Sequence, residues 1–402
     1  MKFSKVGQVS LVSATALILA SAFTACTPIT IDYLFAAGSK SNNIQTFLVD
    51  RVSGALSSVN SVVSAGGISP IALANSTDFK HLYVANQGDN SLVEFSISGT
   101  GVLASVKTLT LSAEGNTPVA INMNASGTLL YVANRYQAGC STATVGAATC
   151  NGGALAVFPV GSDGSLGSPV SNGSLSYWPV GVNPTSVTSL PSGGAVYVSS
   201  FDPSAGVGYI YGYVAATSGT LSQLTPGNRF PAGVKPVGIT TDPTSRFVYA
   251  TDFAQNQLIA FSVLDAGVLQ PLINGPFRTG NQPSAIQIDP RGKYIYVSNQ
   301  LDNSVSAYAI DLATGTPSAA VNTSGSSTNS TGTQPVAILV DPGFGRYVYT
   351  ANLLDNSLSG FQLNPSTGTL SPAQNGPYPT VGEPYAIACV PHGNHSIQIN
   401  QP

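Results

Sequence analysis

Residues 282–311 read QPSAIQIDPRGKYIYVSNQLDNSVSAYAID, and the chain restates this pattern about every fifty residues. Pro283 opens a short apolar run at 284–288, and Asp289-Pro290-Arg291-Gly292 is turn chemistry. Residues 294–298 (YIYVS) are rich in β-branched and aromatic side chains, as a strand requires. A second turn at 299–303 leads into 304–310, where Val305, Ala307 and Ala309 alternate with Ser306, Tyr308 and Ile310. Strand, turn, strand, turn, strand without a helical period predicts an antiparallel meander.

The copies are in fixed register. The opening proline recurs as Pro70, Pro118, Pro184, Pro236, Pro283, Pro335 and Pro384. Thirteen residues after the first five stand Tyr83, Tyr131, Tyr197, Tyr249 and Tyr296; Tyr349 lies fourteen after Pro335, because Gly343-Phe344-Gly345 lengthens the turn. Three residues further on come Asn86, Asn134, Ser200, Asp252, Asn299 and Asn352. A closing Gly-x-Leu at 101–103, 219–221 and 368–370 adds a fourth strand per unit. The expected fold is therefore all-β, a seven-bladed propeller of four-stranded antiparallel blades.

The Tyr-Val-Ala-Asn at 83–86 and 131–134, within these repeats, resembles the YVTN family of β-propellers and the related lactonase family, which includes 6-phosphogluconolactonase-like proteins. The resemblance covers nearly all of the chain after its N-terminal segment. It implies a propeller fold and offers lactone hydrolysis as one activity. It also implies His, Arg and Glu at the channel mouth, with His commonly beside the opening proline. Here the residues after the prolines are Ile71, Val119, Thr185, Val237, Ser284, Val336 and Tyr385, none of them histidine. A propeller fold by itself does not fix an activity.

Closure of the ring follows from the two ends. Residues 32–56 align with the second, third and fourth strands of a unit, with Phe35 at the tyrosine position, and lack a first strand; 384–390 (PYAIACV) is a first strand. Six complete units and one blade shared between the termini remove the exposed sheet edge. Ile397-Gln398-Ile399-Asn400 competes with the N-terminal segment for the second strand of that blade. Residues 32–402 are thus expected to form one domain, preceded by a short linker at 26–31.

Residues 1–25 read as a lipoprotein-type signal peptide: Lys2 and Lys5, an apolar run at 9–22, then Phe23-Thr24-Ala25-Cys26. Phe23 departs from the leucine usual in a lipobox. The two readings are lipidation of Cys26, giving a membrane anchor in the bacterial envelope, periplasmic or surface-exposed, and a secretory signal cut after Ala22. Cys140 and Cys150 fall in a 15-residue expansion between second and third strands, and in an oxidising compartment they are expected to pair. Such a short loop confers about 3 kcal/mol in the chain-entropy account. Cys389, within a first strand, reads as a buried thiol.

Composition narrows the partners. Only 8% of the 402 residues are charged and the net charge is −3, without the basic stripe that nucleic acid requires. No metal-ligand spacing, phosphate loop or nucleophile elbow is present, and no cofactor is expected. Candidate binding residues are those before the prolines (Ser69, Thr117, Asn183, Lys235, Gln282, Gln334, Glu383) and those in the second-to-third loops (Gln87, Asp89, Arg135, Asp202, Asp302, Asp355). Both sets gather on the face of the channel mouth in a propeller, and Lys235, Glu383, Arg135 and Asp202 stand out in so uncharged a chain. Against this, repeated Asp-Asn-Ser at 89–91, 302–304 and 355–357 reads as turn chemistry. His81, His392 and His395 are expected in exposed turns on the opposite face, His81 and His395 at equivalent positions of neighbouring blades. Residues 314–333 read as a flexible polar loop. The expected role is a monomeric binding or scaffold module for a protein, peptide or glycan; the alternative is a sugar lactonase with a divergent active site, in which Lys235 or Glu383 would supply the titratable group.

Overall fold

The computed structural model describes residues 29–392 except 142–149, 151, 225–228 and 322–324. Seven antiparallel sheets are arranged in a ring, each with its first strand innermost. Blades 1 to 6 begin with strands Pro70–Asn75, Asn116–Met123, Pro184–Ser189, Pro236–Thr241, Pro283–Ile288 and Pro335–Val340. Blade 7 is the shared one. Its inner strand Pro384–Pro391 pairs with Thr30–Gly38, placing Phe35 opposite Ala388, and Asn43–Asp50 and Leu56–Ser64 complete the sheet. The N-terminal segment therefore supplies the contested second strand; residues 397–400, like Cys26 and His395, lie outside the described residues.

Each blade buries both faces against its neighbours, so the apolar residues divide into seven clusters, one per blade–blade interface. The repeated tyrosine explains itself there. Its ring is buried, and its hydroxyl donates to the backbone of a glycine in the next blade's outer turn: Tyr83 to Gly164 at 2.6 Å, Tyr197 to Gly267 at 2.6 Å, Tyr249 to Gly315 at 2.7 Å and Tyr296 to Gly368 at 2.9 Å. Tyr349 to Gly54, at 2.7 Å, carries the same bond across the closure. Burial raises the pKa of these phenols, keeping them protonated donors.

The blades are four-stranded and antiparallel as expected; in blades 3 to 6 the fourth strand comes as two short pieces that both pair with the third, as Leu269–Pro271 and Phe277–Arg278 do with Gln257–Val263. Two expectations need correction. Part of the polar stretch at 314–333 belongs to such an edge: Pro317–Ala319 and Thr328–Ser330 pair with Ser304–Ile310. Low complexity hid them, since an outer edge strand needs little apolar content. His81 is not an exposed turn residue; it begins strand His81–Asn86, and only 13% of its side chain is exposed. Its Nδ1 lies 3.3 Å from the buried Glu94 carboxylate, an ion pair when the ring is protonated. Cys140 and Cys150 are bonded, and Cys389 is free and buried, as expected.

Candidate functional site

All seven inner strands share one irregularity. The ladder skips a residue after the proline, so that Pro283 faces Asn299 while Ala285, not Ser284, faces Ser298. The same shift occurs after Pro70, Pro118, Pro184, Pro236, Pro335 and Pro384. A bulge of this kind frees one residue from the ladder and re-aims its side chain. The seven freed residues, Ile71, Val119, Thr185, Val237, Ser284, Val336 and Tyr385, line the central channel, a cavity of about 350 Å³. Thr185 and Ser284 do not offer their hydroxyls to it, because these donate to the Pro236 and Pro335 carbonyls of the next blade at 2.7 and 2.6 Å. Five of the seven freed side chains are thus aliphatic or aromatic, but Ser186, Gln87 and Arg135 line the cavity too, and the wall as a whole exposes at least as much polar as apolar surface.

Two side chains from the second-to-third loops reach the wall, Gln87 and Arg135. Gln87 donates to the Pro118 carbonyl at 3.3 Å. Arg135 is the penultimate residue of strand Leu129–Tyr136, is exposed, and its side chain has no hydrogen-bond or ion-pair partner among the described residues. It is the one charged side chain on the channel wall among those residues. A guanidinium in such a setting suits a carboxylate or phosphate, which it can grip through two parallel hydrogen bonds. A guanidinium offers only N–H donors and no acceptor, and so supplies no general base.

The residues before the prolines occupy the rim rather than the wall. Ser69, Thr117, Asn183, Gln282, Gln334 and Glu383 all have left-handed backbones, with φ between 46° and 63°. All of these but Asn183 have their amides held from the preceding blade: Gln282 N–H donates to Asn256 Oδ1 at 2.8 Å, Gln334 N–H to Asn303 at 2.9 Å and Glu383 N–H to Asn356 at 2.6 Å, with Ser69 and Thr117 held likewise by Asn42 and Asn90. These asparagines, themselves left-handed, make the repeated turn a stitch between blades. Asn183 donates weakly to the Phe201 carbonyl at 3.5 Å.

The rim charges have internal partners. The Lys235 ammonium sits 4.4 Å from the centre of the Phe253 ring and 5.3 Å from that of Phe201, a cation–π arrangement. Glu383 Oε1 meets Lys40 Nζ at 3.1 Å, a surface pair of small energetic weight. Asp202 accepts from Ser204 Oγ at 2.5 Å and from the Ser204 amide at 2.9 Å, and these bonds hold its carboxyl below the usual range. Of the thirteen candidates named from the sequence, Gln87 and Arg135 are among the residues that line the cavity and the other eleven are not. The bulge residues were missed as wall formers; the signal was the apolar run at 71, 119, 237 and 336, read only as missing histidine.

Another site holds perturbed carboxyls without an open cavity. Asp32, fully buried at the start of the blade-7 joint, has no hydrogen-bond partner on either carboxylate oxygen. Burial raises its pKa well above the ordinary value, and the nearby Asp341 adds to the rise. Asp341 is raised by burial as well, against the amides of Phe344, Gly345, Arg346 and Tyr347 that donate to it. Burial, with these two carboxyls, pushes the Cys389 thiol up and keeps it unreactive. Among the described residues no cluster of His, Cys, Asp or Glu could hold a metal ion.

With this geometry the family can be stated. The profile described as "Lactonase, 7-bladed beta-propeller" matches residues 67–156 and 137–390. The chain belongs to that family. Among solved structures it resembles the periplasmic gluconolactonase of Pseudomonas aeruginosa, at 20% identity, TM-score 0.72, and coverage of 90% of this chain and 99% of the other. A putative 6-phosphogluconolactonase from Bacteroides fragilis is similar at 19% identity, TM-score 0.69, with 90% and 98% covered. The hydrazine synthase of Kuenenia stuttgartiensis, at 15% identity and TM-score 0.56, covers 82% of this chain and 94% of its own. At such identities these likenesses concern the fold. No curated protein matches the sequence.

Proposed function

We propose that this protein is a binding propeller of the bacterial envelope whose channel takes a small anionic ligand, its acidic group on Arg135 and its body against the mixed wall of aliphatic and polar side chains. The observation that carries this reading is the unpartnered Arg135, the one charged side chain among the described residues that line the cavity. A sugar acid or sugar phosphate has the size and charge that such a cavity accommodates. The rim residues Lys235, Glu383, Asp202, Asn183, Gln282 and Gln334 would frame the entrance and contact only a larger ligand, such as a glycan or peptide.

The second reading is hydrolysis of a sugar lactone, favoured by membership in the lactonase family and by the likeness to the Pseudomonas aeruginosa gluconolactonase. Hydrolysis needs a group that activates water. Lys235 or Glu383 would have to supply it, and Glu383 already meets Lys40 through Oε1. The two readings separate in one pair of measurements: calorimetric titration with 6-phosphogluconate, and a pH-stat assay of glucono-1,5-lactone. Binding without hydrolysis above the spontaneous rate is the expected result. Hydrolysis above that rate, lost in Glu383→Gln, would replace binding by catalysis.

An envelope location is supported by the Cys140–Cys150 bond, which suits an oxidising compartment, and by the signal-like N-terminus. Lipidation of Cys26 would tether the propeller to the membrane. Palmitate labelling of the chain in bacterial cells should then disappear in Cys26→Ser; unchanged labelling would exclude that anchor.

A further inference from the structure

The channel wall differs from one side of the ring to the other. On blades 4, 5 and 6 the freed residues are Val237, Ser284 and Val336: two aliphatic side chains and a hydroxyl already given to the Pro335 carbonyl. Blades 7, 1 and 2 follow one another around the ring, and there the wall carries Tyr385, Gln87 and Arg135.

Each of these three side chains has a group that the protein leaves unused. Tyr385 is freed from the ladder by the bulge after Pro384 and is 41% exposed, the one aromatic among the described residues that line the cavity. Folding does not ask for an aromatic at this position, since blades 2, 4 and 6 fill it with Val119, Val237 and Val336. The Tyr385 hydroxyl has no partner among the described residues. Gln87 is oriented by its bond to the Pro118 carbonyl, and its Oε1 accepts from no group among those residues. Arg135 is the open cation. No carboxylate lines the cavity beside it among the described residues.

We propose that the channel ligand is a cyclic sugar acid, a pyranose that bears one carboxylate, and that Tyr385 selects the ring. This rests on the assignment of an anion to Arg135 and adds the form of the molecule. The C–H face of the pyranose stacks on the Tyr385 ring, whose negative π face matches it. A ring hydroxyl donates to Gln87 Oε1, and Arg135 grips the carboxylate through two parallel bonds. One cation without a neighbouring anion suits a single negative charge. A rigid ring meets all three groups with little loss of internal freedom, whereas an open chain must give up several torsions to do so.

Calorimetric titration of the whole chain with D-glucuronate and D-gluconate tests this, because each carries one carboxylate and only the first is a ring. Glucuronate should bind about tenfold more tightly or better. Tyr385→Val, which places here the residue of three other blades, should abolish that preference by weakening glucuronate alone, with the melting temperature unchanged. Tyr385→Phe keeps the ring and should keep the preference. A merely structural Tyr385 would shift the melting temperature and leave the ratio of the two affinities as it was. Equal affinity for the two acids in the wild type, tighter binding of gluconate, or a preference that survives Tyr385→Val would overturn the ring selection, and where binding is still lost in Arg135→Gln the anion site stands. Failure of both acids and of 6-phosphogluconate to bind would overturn the anion site and the ring selection together.

Discussion

Lys235 and Val237 flank one opening proline, and Glu383 and Tyr385 another, yet the two members of each pair meet different surroundings. The residue before the proline belongs to the rim. Its charge has a partner within the protein, in two phenylalanine rings for Lys235 and Lys40 for Glu383. The residue after it is freed by the bulge and faces the channel. In this propeller the rim charges are engaged by the protein itself, and the one charge left open to a ligand among the described wall residues is Arg135. Charge in a sequence marks a binding site only where the fold leaves that charge without an internal partner.

That contrast can be strained first at a stitch. Asn303→Ala removes the acceptor of the Gln334 amide and puts alanine in a left-handed turn. The loss of stability should be about 2–3 kcal/mol, combining an unsatisfied amide with backbone strain. Urea unfolding measures it; a change below about 0.5 kcal/mol would mean the stitch contributes only to register.

Asp32 sharpens the contrast from the other side, as a buried polar group that the fold leaves unpaired. Its folded-state pKa is raised above that of the unfolded chain, so the native state holds this proton more tightly. The wild type therefore loses stability as pH rises from about 4, the unfolded carboxyl value, up through the raised native value. Asp32→Asn lacks that slope. It should be more stable than wild type at pH 8, by on the order of 1–3 kcal/mol, with the advantage gone near pH 4. Urea midpoints at the two pH values check this; a variant less stable at pH 8 would show that the carboxylate has a partner after all.

The smallest effect is expected at Lys235. Lys235→Met removes two cation–π contacts at a partly exposed site, worth about 0.5–1 kcal/mol together, and keeps the apolar stem. A melting-temperature shift of only a few degrees or less should result. A larger loss would make the phenylalanine cage a principal element of the rim.

The fold was legible in the sequence because a propeller repeats its constraints. Every Pro, Tyr and closing Leu reports the same local geometry, so seven weak signals add to one strong one. Even the shared blade could be counted, since the missing first strand at 32–56 matched the surplus one at 384–390. Which segment supplied the second strand was not legible, because pairing between chain ends leaves no local pattern. The site was read less well. Pre-proline residues drew attention through charge, whereas the bulge that turns the next residue into the channel is set by strand register and has no distinctive composition. His81 misled for a related reason: its partner Glu94 lies across the pair of strands, at a separation that no motif records.

The central claim is that Arg135, on the wall, anchors a channel ligand and the rim charges do not. Calorimetric titration of 6-phosphogluconate into wild type, Arg135→Gln, Lys235→Met and Glu383→Gln tests it most directly. The account predicts that Arg135→Gln weakens binding by about 1.5–3 kcal/mol, the range for hydrogen bonds to a charged group, with both rim variants within twofold of wild type. Undiminished binding by Arg135→Gln, or its loss in Lys235→Met, would contradict it.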